Sequence, residues 1–132
     1  MLKKIDHIAI AVKSIDETLK VMGDVLGVKS DHMEEIPDQG VKAAAIKVGD
    51  VTIELVEPVK PDTGIAKFVE TKGDGIHHIA FEVADLEKEL AALEAKGVAL
   101  IDKKPRKGMA GMIAFLHPKA TKGVLVELVQ KV

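Results

Sequence analysis

From Ile5 to Val12 the chain alternates apolar with small or polar residues, the period-two pattern of a strand with one buried face. Ser14 follows, with Glu17 three residues on, a capping-box pattern that opens a helix. Ile15, Leu19, Met22 and Leu26 then recur at helical spacing, and Gly27 supplies a stop. The polar stretch Asp31–Gly40 contains Pro37 and reads as a loop or a weak edge strand. Strands are predicted at Val41–Val48 and Val51–Glu57, joined through the two-residue turn Gly49-Asp50. A connection from Pro58 to Asp74 carries a short helix over Gly64–Thr71. The order then begins again. Ile76–Val83 reads as a strand and Asp85–Lys96 as a helix with Leu86, Leu90 and Leu93 inward and Gly97 as its stop. A short strand at Val98–Ile101, a basic loop from Lys103 to Gly111, and strands at Met112–Leu116 and Gly123–Val129 complete the chain.

The two passes are copies. Asp6-His7-Ile8-Ala9-Ile10-Ala11-Val12 returns seventy-one positions later as His77-His78-Ile79-Ala80-Phe81-Glu82-Val83. Ile15 falls on Leu86, Leu19 on Leu90 and Met22 on Leu93. Each copy closes on a matching strand, Val51-Thr52-Ile53-Glu54-Leu55-Val56 and Val124-Leu125-Val126-Glu127-Leu128-Val129. A repeat of this size sets the architecture before any single motif does. The expectation is an α+β fold of two paired βαβββ modules, residues 1–60 and 75–132, within a single domain over 1–132. A module this small buries too little apolar surface alone, so the copies must pair.

The repeat also sets His7, Glu54, His78 and Glu127 at corresponding positions. On a strand Glu54 shares its face with Thr52 and Val56, and Glu127 shares its face with Leu125 and Val129. A carboxylate on so apolar a face costs several kcal/mol unless a cation neutralises it. Two matching carboxylates beside two matching imidazoles point to one shared metal ion, with His7, Glu54, His78 and Glu127 as ligands. Such a set admits zinc, cobalt, manganese, nickel or iron. His77 points to the opposite face from His78, while His32 and His117 have no counterpart in the other copy, so all three are left outside the ligand set.

Composition narrows the possibilities further. The 132 residues include no cysteine, which excludes disulfides, thiolate zinc sites and a cysteine nucleophile. Net charge is −2 and aromatics are only 2%, which argues against a nucleic-acid partner by both bulk charge and base stacking. No run of eighteen apolar residues occurs, and charges at Lys3, Lys4 and Asp6 do not suit a signal peptide. A soluble cytoplasmic protein without membrane contact is expected.

The pattern resembles the vicinal oxygen chelate superfamily and, within it, the methylmalonyl-CoA epimerases. The resemblance rests on Ile5-Asp6-His7-Ile8-Ala9, Pro37-Asp38-Gln39-Gly40-Val41 and Ile65-Ala66-Lys67-Phe68. It continues through Gly75-Ile76-His77-His78-Ile79-Ala80, Phe115-Leu116-His117-Pro118-Lys119 and Gly123-Val124-Leu125-Val126-Glu127-Leu128. It implies a cupped mixed sheet around a divalent metal held at His7, the position of Glu54, His78 and Glu127. Co2+ is the ion the family favours, with Mn2+, Zn2+, Ni2+ or Mg2+ as alternatives. The implied reaction interconverts (2R)- and (2S)-methylmalonyl-CoA by α-proton abstraction and reprotonation through a metal-stabilised enediolate. The implied substrate is an acyl-CoA thioester, and a homodimer is expected.

Two positions depart from some family members. Ala43 stands where they carry a second acid/base glutamate, and Glu54 stands where they carry glutamine. Glu127 is therefore the base supported by the resemblance, and the repeat symmetry nominates Glu54 as the second. The run Lys103-Lys104-Pro105-Arg106-Lys107 is either a contact for coenzyme A phosphates or a solvated basic loop. Gly108 and Gly111 are candidates for offering backbone amides to the substrate carboxylate. A glyoxalase I-type enzyme acting on a glutathione hemithioacetal fits the same four ligands. A metal-free binding protein of the superfamily is the remaining alternative.

Overall fold

The computed structural model describes residues 2–109 and 111–131. Among the described residues, eight strands and three helices make an α+β fold: β1 (Leu2–Ala11), α1 (Ile15–Leu26), β2 (His32–Ile36), β3 (Val41–Val48), β4 (Val51–Pro58), α2 (Gly64–Lys72), β5 (Gly75–Val83), α3 (Leu86–Ala95), β6 (Arg106–Lys107), β7 (Gly111–Leu116) and β8 (Val126–Lys131). Short 3-10 helices occupy Pro37–Gln39 and Pro118–Thr121. The chain forms two compact units, Ile8–His77 and Met1–His7 with His78–Val132. The first holds the strand order β2-β3-β4-β1, the second β1-β5-β8-β7-β6, and β1 is divided between them. The sheet is mixed, since β5 runs parallel to β8 while β2–β3, β3–β4, β6–β7 and β7–β8 are antiparallel.

The helices start and stop where their end residues dictate. Ser14 Oγ accepts from the Glu17 amide at 3.1 Å, and Gly27 ends α1 in the left-handed region at φ 71°. Asp85 caps α3 by accepting from the Lys88 amide at 3.1 Å. Gly97, at φ 78°, follows one residue after the Lys96 C-cap.

Within each unit the core repeats the other residue for residue. One apolar cluster is Val12, Ile15, Ala44, Ile46 and Leu55; the other holds Val83, Leu86, Ala114, Leu116 and Leu128, with Leu90 added. A smaller pair follows the same rule, Ala9 with Val56 and Ala80 with Val129. The first buried helical residue of each copy is anchored alike. Glu57 Oε1 accepts from the Ile15 amide at 2.7 Å, and Gln130 Oε1 accepts from the Leu86 amide at 2.8 Å. Glu57 stands three residues after Glu54, and Gln130 three residues after Glu127. Glu54 faces Ala45 across β3–β4, and Glu127 faces Phe115 across β7–β8.

Three boundaries differ from expectation. Val98–Ile101 is not a strand: Leu100 makes a single bridge to Leu116, and the Ile101 and Asp102 amides both bond the Phe115 carbonyl. The basic loop contains the two-residue strand β6, and its position 110 lies outside the described residues. The last strand begins at Val126 rather than Gly123, because Pro118–Thr121 winds into a 3-10 turn and Gly123 donates back to the Pro118 carbonyl. The stretch Asp31–Gly40 resolves into the edge strand β2 and a 3-10 turn at Pro37.

Candidate metal centre

His7 comes from β1, His78 from β5 and Glu127 from β8, and all three are buried. Their ligand atoms lie within 4.8 Å of one another, a group able to hold a metal ion. Glu127 Oε1 is 3.0 Å from His78 Nε2 and 3.7 Å from His7 Nε2, and the two Nε2 atoms are 3.4 Å apart. Two imidazole nitrogens bound to one ion at about 2.1 Å come to lie roughly 3.0–3.4 Å apart, so this spacing fits shared coordination. Two nitrogens and a carboxylate oxygen suit a divalent first-row ion of the kind named above.

Electrostatics prepare the group for a cation. Burial pushes the Glu127 carboxyl up. Hydrogen bonds and charge from His7 and His78 outweigh this and hold it at about 2, so Glu127 is an anion at neutral pH. The Phe115 ring meets His78 edge to face at 5.1 Å and helps to fix its plane. Arg106 lies over the same ring, its Cζ 5.6 Å from the centroid, while its Nε pairs with Asp102 at 3.0 Å.

Asp6 completes the arrangement and was not read from the sequence. It is 5% exposed, its Oδ2 accepts from His7 Nδ1 at 2.7 Å, and its Oδ1 meets Lys131 Nζ at 2.8 Å. Burial raises its carboxyl, but the bonds to His7 and Lys131 prevail and hold it at about 2. The direct adjacency Asp6-His7 was the available signal. It carries little weight in a strand, where neighbours usually project to opposite faces.

The other predicted residues are placed as follows. Glu54 is half-buried on β4, in the unit Ile8–His77. Ala43 is buried on β3 opposite Val56. His77 packs edge to face on Phe68 at 5.1 Å. His117 caps the 3-10 turn by accepting from the Lys119 amide at 3.1 Å, and His32 is exposed beside Glu34. In the basic run, Lys103 lies 3.9 Å from Glu94. Gly108 donates its amide to the Gly111 carbonyl at 2.8 Å, which engages one of the two amides considered for substrate. Gly111 is required by packing, since a Cβ there would collide with the Gln130 carbonyl. Among the described residues, no helix is long and apolar enough to cross a membrane.

A duplicated α+β fold with a buried His-His-Glu group able to hold a metal ion is the arrangement of the vicinal oxygen chelate class. Comparison with known proteins gives the family. Residues 6–115 match the glyoxalase/bleomycin resistance protein/dioxygenase superfamily. The chain is 44% identical to the uncharacterized protein YqjC of Bacillus subtilis, over 96% of this chain and 91% of that one. It is 34% identical to the ethylmalonyl-CoA/methylmalonyl-CoA epimerase of Cereibacter sphaeroides, over 98% and 99%. The structure of a single-residue variant of Streptomyces coelicolor methylmalonyl-CoA epimerase in complex with 2-nitronate-propionyl-CoA superposes with a TM-score of 0.94 at 37% identity, covering 100% of this chain and 96% of that one. The chain belongs to this superfamily and, within it, to the methylmalonyl-CoA epimerase family of isomerases.

Proposed function

We propose that the protein interconverts (2R)- and (2S)-methylmalonyl-CoA, with a divalent ion bound by His7, Glu54, His78 and Glu127. The observation that carries the reading is the buried convergence of His7, His78 and Glu127 in a chain of this family. Glu54 joins the set on symmetry. It has the register of Glu127 within its own copy, three residues before the side chain that anchors the helix.

Epimerisation requires a proton to leave one face of the α-carbon and another to arrive at the opposite face. If that carbon acid is about ten pKa units weaker than a carboxylic acid, the site must supply roughly 14 kcal/mol at about 1.4 per unit. A divalent cation held at this centre supplies Lewis-acid stabilisation of the charge that develops on the thioester oxygen. The side chains then act as positioned bases. In one direction the Glu127 carboxylate takes the α-proton, the α-carbon becomes planar, and protonated Glu54 delivers a proton from the other side. The two carboxyls finish with their protonation exchanged, and the reverse reaction restores them.

The reading includes Co2+ as the preferred ion, a homodimer and a cytoplasmic location. Metal analysis and light scattering on the purified protein test the first two. The deciding experiment is incubation of the metal-loaded protein with methylmalonyl-CoA in deuterated water. Epimerisation with deuterium entering at the α-carbon is expected. Absence of both, with turnover of a glutathione hemithioacetal instead, would replace this reading with a glyoxalase I-type activity.

A further inference from the structure

We propose that Asp6 is a positioning residue for metal binding: held by Lys131, its carboxylate keeps a proton on His7 Nδ1 and turns Nε2 toward Glu127 and His78. This inference rests on the metal reading above. A carboxylate already paired with an ammonium group has no proton to give. At 2.7 Å from Asp6 Oδ2, His7 Nδ1 must therefore be the donor. When the ring binds a metal through Nε2, the proton kept on Nδ1 is the one that remains, which leaves Nε2 in the form a metal requires. Nε2, the nitrogen opposite the Asp6 bond, lies 3.7 Å from Glu127 Oε1 and 3.4 Å from His78 Nε2, so it is the one that faces the other two ligands.

The support is itself buried and braced. Asp6 is 5% exposed, so its carboxylate is fixed by its two partners rather than by solvent. Lys131 reaches it from β8, four residues beyond Glu127 on the same strand. One strand therefore supplies a ligand directly and steers a second ligand through Asp6. Partners of this kind set both the tautomer and the orientation of a ligating histidine.

Two measurements test the proposal on the full chain. At a pH where the His7 ring is neutral, nitrogen-15 chemical shifts of metal-free wild-type protein should show its proton on Nδ1, and Asp6→Ala should shift the population toward Nε2. Titration of metal-free protein with Co2+ should show Asp6→Ala binding roughly 10- to 100-fold more weakly, the usual range for loss of such a partner. Asp6→Asn keeps an accepting oxygen and should recover part of that loss, which a merely structural role would not predict. Wild-type Co2+ affinity in a folded Asp6→Ala protein, or equal losses in both variants, would overturn the assignment. So would a neutral His7 ring in the wild type with its single proton on Nε2. If wild-type protein takes up no Co2+, the metal reading itself fails, and the nitrogen shifts alone decide the role of Asp6.

Discussion

Glu127 Oε1 lies 3.0 Å from His78 Nε2, and both side chains are buried. Removing one member of such a pair leaves the other without its nearer partner, at a cost on the order of 3 kcal/mol. His78→Ala should therefore lower stability in metal-free protein and also abolish tight Co2+ binding. His117→Ala and His32→Ala should leave metal content at the wild-type level, because those rings lie in an exposed turn and an exposed edge strand. Metal analysis after dialysis, with denaturant melts alongside, checks all three. Loss of metal from either exposed-histidine variant would show that the ligand histidines are wrongly chosen.

Acid should destabilise the metal-free protein through two carboxylates. Glu127 falls from 4.5 to about 2 on folding and Asp6 from 3.8 to about 2. A lowered folded-state value means that the unfolded chain takes up protons first as the pH drops. The stabilisation is thus complete above about pH 5 and disappears between about pH 4.5 and 2. For Asp6 alone this is on the order of 2 kcal/mol at about 1.4 per unit. Urea melts of wild type and Glu127→Gln across this range should show a shallower acid dependence in the variant. Parallel curves would mean that Glu127 is not held as an anion in the fold.

The paired helix anchors make a prediction independent of metal. Gln130→Ala removes the acceptor for the Leu86 amide and should cost about 1 kcal/mol. Glu57→Ala removes a charged acceptor for the Ile15 amide and should cost about 1.5–3 kcal/mol. Denaturant midpoints at constant slope measure both. A neutral Glu57→Ala would mean that water replaces the carboxylate at the α1 start.

Much of this organisation was legible because duplication reports every element twice. The Ser14 cap, the stop at Gly27 and the apolar rows of α1 and α3 are local signals, whereas Asp85, read as the first helical residue, is the cap of α3. His78 could be chosen over His77 because the register with His7 selects it, and the structure packs His77 on Phe68 instead. The signal failed where structure is not periodic. Two residues of β6 have no alternation to detect, and the single bridge at Leu100 looks like a strand in a short apolar run. Asp6 was missed for a different reason. Its pairing with Lys131 joins the two ends of the chain, a relation no local pattern contains.

Position 43 offers the sharpest test of the chemistry. Ala43 has no proton to move, so if inversion needs a carboxyl on each face, Glu54 must act as ligand and as second acid/base beside Glu127. Glu54→Gln keeps a ligating oxygen and removes the basicity. It should retain metal while kcat falls by roughly 10²-fold or more, the scale of a general base. Adding Ala43→Glu to that variant should restore part of the rate by recreating the carboxyl that other family members carry. The restoration has a structural cost. Ala43 is 2% exposed and lies opposite Val56, so the larger, ionisable side chain should lower the melting temperature of the double variant. Rates of epimerisation and of α-deuterium uptake, measured with metal content and melting temperature, separate these effects. Near-normal turnover by Glu54→Gln with its metal in place would refute the two-role assignment and pass the second proton to a water or to another side chain.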